Sequence, residues 1–266
     1  MCKKKYLFLT VILLFCNFGY ASIVITNGLT HSYRIEEGTI HQGVISIQNT
    51  AKTSQNIKLY QNDYRYSAQG VSHYDEPGQN PRSNLDWIKL HTNLITVDAG
   101  GKADVLYEIT VPDDMEYAGS YWSVIMVEPM SPIKPSDEPA NVQIKSIVRY
   151  SIQIITTNQQ AAESLLKFAD FDLSNKNETP VLDVDIANEG ELYHITEASL
   201  TIFDSKTGKN MGVYNSNKMS LLPNNSKRFS ISLEGITPGA YQAAVVAVTN
   251  DEKAFGINIE LEIPDE

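Results

Sequence analysis

The sequence predicts an all-β protein of two tandem immunoglobulin-like β-sandwich domains that follow a signal peptide. Three observations carry this prediction: an alternating segment at residues 142–157, a strand series that occurs twice, and the length of the chain. The 266 residues suit two domains of about 100–150 residues each. Hydrophobic residues make up 42% of the chain, which is enough for two cores.

Residues 119–157 organise the first copy of the series. Residues 119–127 read as a strand, and residues 128–141 carry four prolines, which predict a loop because proline cannot donate to a strand ladder. Residues 142–157 alternate between apolar and polar side chains over most of their length, a period that strands produce and helices do not. Together they predict the last hairpin of a sandwich.

The second copy repeats the order of these elements. Residues 182–188 match the strand that ends at Asn49, and residues 220–233 match residues 95–109. In each copy a glycine and then a tyrosine open the penultimate strand, namely Gly119 with Tyr121 and Gly239 with Tyr241. This pairing predicts a corner where the tyrosine hydroxyl bonds to upstream backbone. We expect one domain at residues 22–157 and a similar one at residues 158–266.

The N-terminus reads as a secretory signal, residues 1–21. Three lysines precede a short apolar run, and Gly19 and Ala21 place small residues before a cut after Ala21. The run is too short to span a bilayer and no second long run follows, so we expect no membrane span in the mature chain. Both cysteines lie in this segment, which excludes disulfides and cysteine chemistry from the mature protein.

The net charge of the mature chain limits the classes of partner that we expect it to bind. Removing residues 1–21 removes three lysines and no acidic residue, so the formal charge changes from −11 to −14. Such a charge disfavours nucleic acid and anionic membrane surfaces. The sequence has no nucleophile elbow, no phosphate loop and no histidine pair at zinc spacing. We therefore expect a protein that is not an enzyme and that needs no cofactor or metal.

The sequence offers more evidence for a binding surface than for a catalytic site. Residues 119–127 are apolar on both faces, and only one face can enter a core; the other, with Trp122, is a candidate partner site. The alternative is that residues 67–86 or the second domain cover it. Lys145 and Arg149 are a candidate anion-binding pair, or else one solvated face of the last strand.

The last strand of the first domain is the second candidate site. At about 3.3 Å per residue, residues 142–157 could reach about 50 Å, which exceeds what a small sandwich needs. The surplus predicts that a partner docks there by strand addition, with Ile144 and Val148 in the partner's groove. Two alternatives stay open: residues 142–146 are loop, or the chain itself caps the edge.

These segments resemble two related groups of proteins. The hairpin at residues 119–157 and the strand at residues 44–49 are similar to those of periplasmic pilus-assembly chaperones, two-domain proteins that lend a strand to fibre subunits. Residues 98–102, the strand ending at Pro112 and residues 119–121 also resemble the extracellular WxL-interacting, peptidoglycan-binding family, which has the same layout. Pilus chaperones hold a terminal carboxylate with a basic pair; here Gln153 replaces the lysine, and residues 23–27 contain no arginine.

The resemblance implies an exported protein-binding protein. It favours a chaperone-like factor that assembles a surface fibre or adhesin and takes a secreted subunit as its partner. The alternative is a cell-surface structural protein that binds peptidoglycan or another surface protein. WxL-interacting proteins usually end in a membrane anchor, whereas this sequence ends at Glu266 without an apolar tail, which favours the periplasm over the cell surface or the medium.

Overall fold

The computed structural model describes residues 23–130, 147–159, 162–176 and 179–264. The predicted signal peptide, Ile144 and Lys145 lie outside these residues. Eighteen strands occur within them, and the one short helix among the described elements is a 3-10 turn at Leu85–Trp87. In chain order the strands are β1 Ile23–Ile25, β2 Thr30–Arg34, β3 Ile40–Asn49, β4 Gln55–Tyr66, β5 Ser72–Asp75, β6 Ile88–Leu90, β7 Leu94–Val97, β8 Lys102–Thr110, β9 Gly119–Met130, β10 Tyr150–Asn158, β11 Leu166–Lys176, β12 Thr179–Asn188, β13 His194–Asp204, β14 Asn210–Asn215, β15 Met219–Leu221, β16 Ser226–Ser232, β17 Gly239–Thr249 and β18 Ala254–Ile263.

Four sheets form two sandwiches. In the first, β1, β3, β8 and β6 make one sheet, and β2, β10, β9, β4 and β5 make the other, with β7 also paired to β4. In the second, β11, β12 and β16 face a sheet of β14, β13, β17 and β18, with β15 paired to β13. The predicted fold class, all-β with tandem immunoglobulin-like sandwiches, is confirmed.

In the first sandwich, β2 covers the edge that β10 would otherwise leave open. β1 pairs with β3, after which the chain crosses to the other sheet and β2 runs parallel to β10. The register places Gln153 opposite Thr30 and Thr157 opposite Arg34. On its other side β10 is antiparallel to β9 from Tyr150 to Asn158. β10 is therefore an interior strand over residues 153–157, and the alternative that the chain caps its own edge is correct there.

Apolar alternation builds the inner core of the first sandwich. Side chains from both sheets meet in one buried cluster that includes Ile45, Ile109, Ile125 and Ile152. These residues lie at every second position of their strands, so each strand places one face in the core. At about 25 cal/mol per Å² of apolar surface, this burial is the main stabilising term.

Two strands, one in each sandwich, end in a buried asparagine that bonds to the backbone of nearby turns. Asn49, at the end of β3, donates to the carbonyl oxygens of Thr53, Val97 and Asp98. Asn188, at the end of β12, donates to those of Leu192 and Leu221 and accepts from the Gly190 amide. Both asparagines have no exposed surface. The two copies of the strand series thus share this pattern of hydrogen bonds as well as their order of strands.

The predicted tyrosine corners are present in both sandwiches. The Tyr121 hydroxyl donates to the Tyr117 carbonyl at 2.9 Å, and the Tyr241 hydroxyl donates to the Thr237 carbonyl at 2.8 Å. Gly119 has a φ of 95°, in the region that glycine tolerates best. The glycine and tyrosine therefore have the roles that the sequence predicts.

Several boundaries differ from the prediction. β9 continues through Pro129 to Met130, because Ile57 of β4 still pairs with Pro129 there. Residues 147–149 are not in a strand, so the last strand begins at Tyr150 rather than Val142, and the predicted length is wrong over these residues. Residues 67–86 are rich in Gly, Pro, Asn and Ser, which predicts a long loop, but they contain β5 and the start of the 3-10 turn.

The two sandwiches share one buried apolar cluster, which includes Tyr66 and Trp122, and hydrogen bonds also join them. The Tyr66 hydroxyl accepts from the Leu222 amide at 2.8 Å and donates to the Ser220 carbonyl at 3.2 Å. The Ser120 amide donates to the Glu191 carbonyl at 2.8 Å, and the Tyr193 amide donates to Ser120 Oγ at 2.8 Å. A Cβ on Gly119 would overlap the Glu191 carbonyl, so glycine also permits this contact.

Candidate functional site

The outer face of β9 is buried, which corrects one sequence-based expectation. Trp122 is 2% exposed, and its Nε1 donates to the Tyr64 carbonyl at 2.7 Å. Its backbone amide donates to the Arg82 carbonyl, and Val124 and Met126 beside it are buried as well. Trp122, Val124 and Met126 belong to the same buried cluster as the core of the second sandwich. Trp122 is therefore a packing residue, not a surface contact, and the alternative that the second domain covers this face is correct.

Residues 67–86 are anchored to the first sandwich by buried polar groups. Asp63 Oδ2 accepts from the amides of Gln79 and Asn80, at 2.7 and 3.0 Å. Asn84, which has no exposed surface, donates to Thr156 Oγ1 and accepts from Ser123 Oγ. The segment is thus fixed to β4, β9 and β10 by hydrogen bonds between residues distant in the sequence, which is why periodicity could not place it.

The start of β10 is the part of the predicted site that stays accessible. Ile147 and Val148 are 43% and 49% exposed. Arg149 extends to solvent and pairs with Glu128 Oε1 at 3.1 Å. The two apolar side chains and the guanidinium lie just ahead of the point where β2 begins to cover β10. Of the five predicted site residues, Val148 and Arg149 therefore lie together, and Trp122 lies in the protein interior.

The backbone of this segment has an open side. Gln153 donates to the Leu29 carbonyl at 2.8 Å, so the backbone groups of Gln153 point towards β2. Because direction alternates along a strand, the backbone groups of Ser151 point the same way. Among the described residues, β2 pairs with β10 only from Gln153 onwards, so this side of Tyr150–Ile152 has no strand neighbour.

Glu128 links the accessible segment to β4. Its Oε2 accepts from the Tyr60 hydroxyl at 2.9 Å, while its Oε1 faces Arg149. Burial first, and then the hydrogen bond to Glu128, raises the pKa of Tyr60, so the hydroxyl stays protonated and donates. Arg149 is thereby engaged by an acidic side chain, which weakens the interpretation of Lys145 and Arg149 as an anion-binding pair.

Two histidines are withdrawn from solvent, one buried and one half-buried. His194 is 1% exposed, and burial lowers its pKa although Asp251 lies nearby. His31 Nδ1 lies 2.7 Å from the Tyr107 hydroxyl, and burial lowers its pKa as well. Within the described parts of the chain, no cluster of three or more His, Cys, Asp or Glu residues could hold a metal ion.

The family comparison matches the C-terminal part of the chain. Residues 140–266 match the family model described as WxL Interacting Protein, host binding domain. The resemblance to WxL-interacting proteins is therefore confirmed over these residues, which lie C-terminal to all three segments on which it was based. The match includes β10 together with the whole second sandwich. No curated protein matches the chain.

Solved structures of two-domain chaperones are similar to the chain. The CupB2 chaperone of Pseudomonas aeruginosa is 12% identical with a TM-score of 0.44, covering 87% of this chain and 96% of its own. The CsuC–CsuE chaperone–tip adhesion subunit complex of Acinetobacter baumannii is 16% identical with a TM-score of 0.44, covering 90% and 98%. The SafA pilin–SafB chaperone complex of Salmonella enterica is 12% identical with a TM-score of 0.43, covering 92% and 97%. In the part of the chain that the structure describes, no helix is long and apolar enough to cross a membrane.

Proposed function

We propose that this protein is an exported, protein-binding protein that acts at the cell surface, with a surface protein of the WxL type as its partner. The observation that carries the proposal is the family match at residues 140–266, whose description names interaction with WxL and, for the matched domain, binding to a host. The surface role is the alternative that the sequence left open, and the match favours it over assembly of a fibre.

The packing of the chain supports a binding role. The interface at Tyr66, Ser120 and Glu191 joins the sandwiches through backbone groups, so the exposed surfaces of both are held in one arrangement. Preorganised surfaces bind with a smaller loss of conformational entropy than mobile ones. The chain therefore presents preorganised surfaces to a binding partner.

Direct binding tests this proposal. The mature chain, residues 22–266, is immobilised, and purified WxL-domain protein from the same organism is passed over it. We expect saturable binding that persists at moderate salt. Retention of the chain on isolated peptidoglycan, with no saturable binding of the WxL protein, would overturn the proposal in favour of the glycan-binding alternative.

A second candidate function is strand addition at the start of β10, as in a fibre chaperone. The observation that favours it is the conjunction of exposed Ile147 and Val148 with a backbone edge over Tyr150–Ile152 that no described strand pairs with. A partner strand there would bury both side chains, each worth about 1.5–3 kcal/mol when fully buried. The partner would be a secreted subunit with an exposed strand.

The variant Val148→Asp tests the second candidate. Its side chain is half exposed, so we expect the melting temperature to change little while capture of a secreted subunit is lost. Val71→Asp is the matched control, since Val71 is 47% exposed and lies at the turn between β4 and β5. Equal capture by wild type and Val148→Asp would contradict strand addition at this segment.

A further inference from the structure

The two sandwiches differ at the edge of their last strands. In the first, β2 covers β10 at residues 153–157. In the second, β11 is the corresponding first strand, but it pairs with β12 from Leu166 to Lys176 and does not cross to the opposite sheet. Within the described residues, β17 is the only strand that pairs with β18. One copy of the repeat thus closes its edge and the other leaves it open.

The matching positions can be read from the registers. Gln153 lies opposite Val124, three residues after Tyr121, and Asn258 lies opposite Ala244, three residues after Tyr241. The stretch covered by β2 in the first sandwich therefore corresponds to residues 258–262 in the second. The open edge lies at the position where the first sandwich accepts a strand.

The backbone groups at this edge are those of even-numbered residues. The Thr249 amide donates to the Lys253 carbonyl, so the odd-numbered residues of β18 point towards β17. The amides and carbonyls of Asn258, Glu260 and Glu262 consequently point outwards. A row of unpaired donors and acceptors is a template for another strand.

The side chains beside the edge define what would fit. Ile257 lies opposite buried Val245 and so points to the inner side of the sheet, yet it is 42% exposed. Phe168 and Phe171 of β11 stack 6.0 Å apart and are only partly buried on the same core. An added strand with apolar side chains on its inner face would extend this incomplete core.

The outer side of the edge is acidic. Glu260 and Glu262 are exposed, and neither forms an ion pair with a described residue. Cross-strand pairs of opposite charge stabilise a sheet, whereas like charges destabilise it. The fitting segment therefore has basic side chains opposite the two glutamates.

We propose that the open edge of β18 accepts an extended segment of a partner protein in which apolar and basic residues alternate. The segment takes the place that β2 takes beside β10, with its backbone bonded to Asn258, Glu260 and Glu262 and its apolar side chains near Ile257. The other edge of this sheet is less suitable, because β14 is six residues long and its register shifts beside Phe203. β18 pairs with β17 over ten residues without a shift.

A capped decapeptide of alternating valine and lysine is the probe. Amide hydrogen exchange is followed by NMR in the mature chain, residues 22–266, with and without the peptide. We expect saturable binding and an increase of about tenfold or more in the protection of the Asn258, Glu260 and Glu262 amides. A valine–glutamate peptide and a valine–lysine peptide interrupted by prolines should bind far more weakly. If these amides are already protected in the free chain, its own residues or a second copy close the edge and the proposal is overturned.

Two substitutions separate the backbone contribution from the charge contribution. Glu260→Pro removes an outward donor without touching the ladder to β17, and we expect about tenfold weaker binding of the peptide. Glu260→Ala keeps the donor and should weaken binding by a smaller factor. Should Glu260→Pro fail to fold, Ile257→Lys tests the apolar contact instead. Unchanged binding by a folded Glu260→Pro or Ile257→Lys variant would refute the proposal.

A variant in the first sandwich distinguishes this site from the one at β10. Val148→Asp lies at the start of β10 and should bind the peptide as wild type does. If Val148→Asp no longer binds the peptide while Glu260→Pro still binds it, the acceptor edge lies at β10 and the inference is overturned. The result does not depend on whether a WxL protein is the natural partner.

Discussion

At the scale of single residues, a few buried polar groups add to stability by satisfying backbone that the sheets leave unpaired. Asn49 and Asn188 both hold the turn that follows their strand, through amides and carbonyls that would otherwise lie buried without partners. An unsatisfied buried polar group costs about 1–3 kcal/mol. An apolar residue of similar size could not replace either asparagine.

Substitution of Asn188 tests this account. Asn188→Ala removes two donated bonds and one accepted bond, and we expect the free energy of unfolding to fall by about 2–3 kcal/mol. Urea titration measures the change. Asn93→Ala, at an exposed position, is the control and should change stability by less than about 0.5 kcal/mol. A loss no larger than in the control would show that solvent replaces the bonds of Asn188.

The buried histidines predict how stability depends on pH. The pKa of His194 and that of His31 are both lowered in the folded protein, chiefly by burial. The unfolded chain therefore takes up these protons near a pH of about 6.5, while the folded chain takes them up only at lower pH. We expect the free energy of unfolding to be constant above about pH 7 and to fall as the pH drops through the folded values.

Denaturant melts between about pH 4.5 and 7.5 measure this dependence. His194→Gln removes one of the two groups and should make the fall shallower. His91→Gln changes an exposed histidine and serves as the control. A slope that is the same in His194→Gln and wild type would mean that His194 has the same proton affinity in both states.

At the scale of elements, the fold depends on the crossing of the first strand between sheets. β2 is anchored from inside the sandwich, because the Tyr107 hydroxyl of β8 lies 2.8 Å from that of Tyr33 and 2.7 Å from His31 Nδ1. Gly43 of β3 makes room for this group, since a Cβ there would overlap both hydroxyls. A glycine in one sheet thus permits an edge closure in the other.

Gly43→Ala should loosen β2 without removing any of its own residues. Displaced hydroxyls cannot hold β2 against β10, so we expect faster hydrogen exchange at the amides of Ile35 and Gln153, which bond across the two strands. A loss of about 1–3 kcal/mol in the free energy of unfolding should accompany it. Gly256→Ala is the control, because its Cβ would make ordinary van der Waals contact. Exchange at Ile35 and Gln153 as slow as in wild type would contradict this role of Gly43.

At the scale of the whole molecule, the sandwiches are coupled by hydrogen bonds between residues far apart in the sequence. Tyr66 reaches the second sandwich from the end of β4, and its ring is covered by Lys227 Nζ at 4.7 Å. The Tyr66 amide donates to Asn225 Oδ1 at 2.6 Å. Unfolding of either sandwich leaves these groups without partners, so we expect the two to unfold together.

Tyr66→Phe tests the coupling. The variant keeps the ring but leaves the Leu222 amide without its acceptor in a buried contact, at a cost of about 1–3 kcal/mol. In scanning calorimetry we expect the single transition of the wild type to split or broaden. Tyr74→Phe changes an exposed tyrosine of β5 and should leave the transition intact. A single sharp transition in Tyr66→Phe would show that apolar contacts alone couple the sandwiches.

The sequence by itself determined the features that depend on local pattern. Alternation located the regular strands, the repeat indicated two similar sandwiches, and glycine followed by tyrosine marked both corners, because these signals depend on neighbours within a few residues. The same alternation predicted that Val148 and Arg149 lie within the last strand; the structure leaves both exposed and places them just before that strand begins. Such features depend only on the order of residues along a short stretch of the chain.

Only the tertiary structure decided which surfaces are free. Trp122 is apolar in any reading, but its burial follows from Tyr64 and Arg82, which lie about 40–60 residues away in the sequence and contact it only in the fold. The same holds for the closed edge of β10 and the open edge of β18: two strands with similar patterns differ because β2 crosses between sheets and β11 does not. A period of two specifies which face of a strand is apolar, and it carries no information about which strand lies beside it.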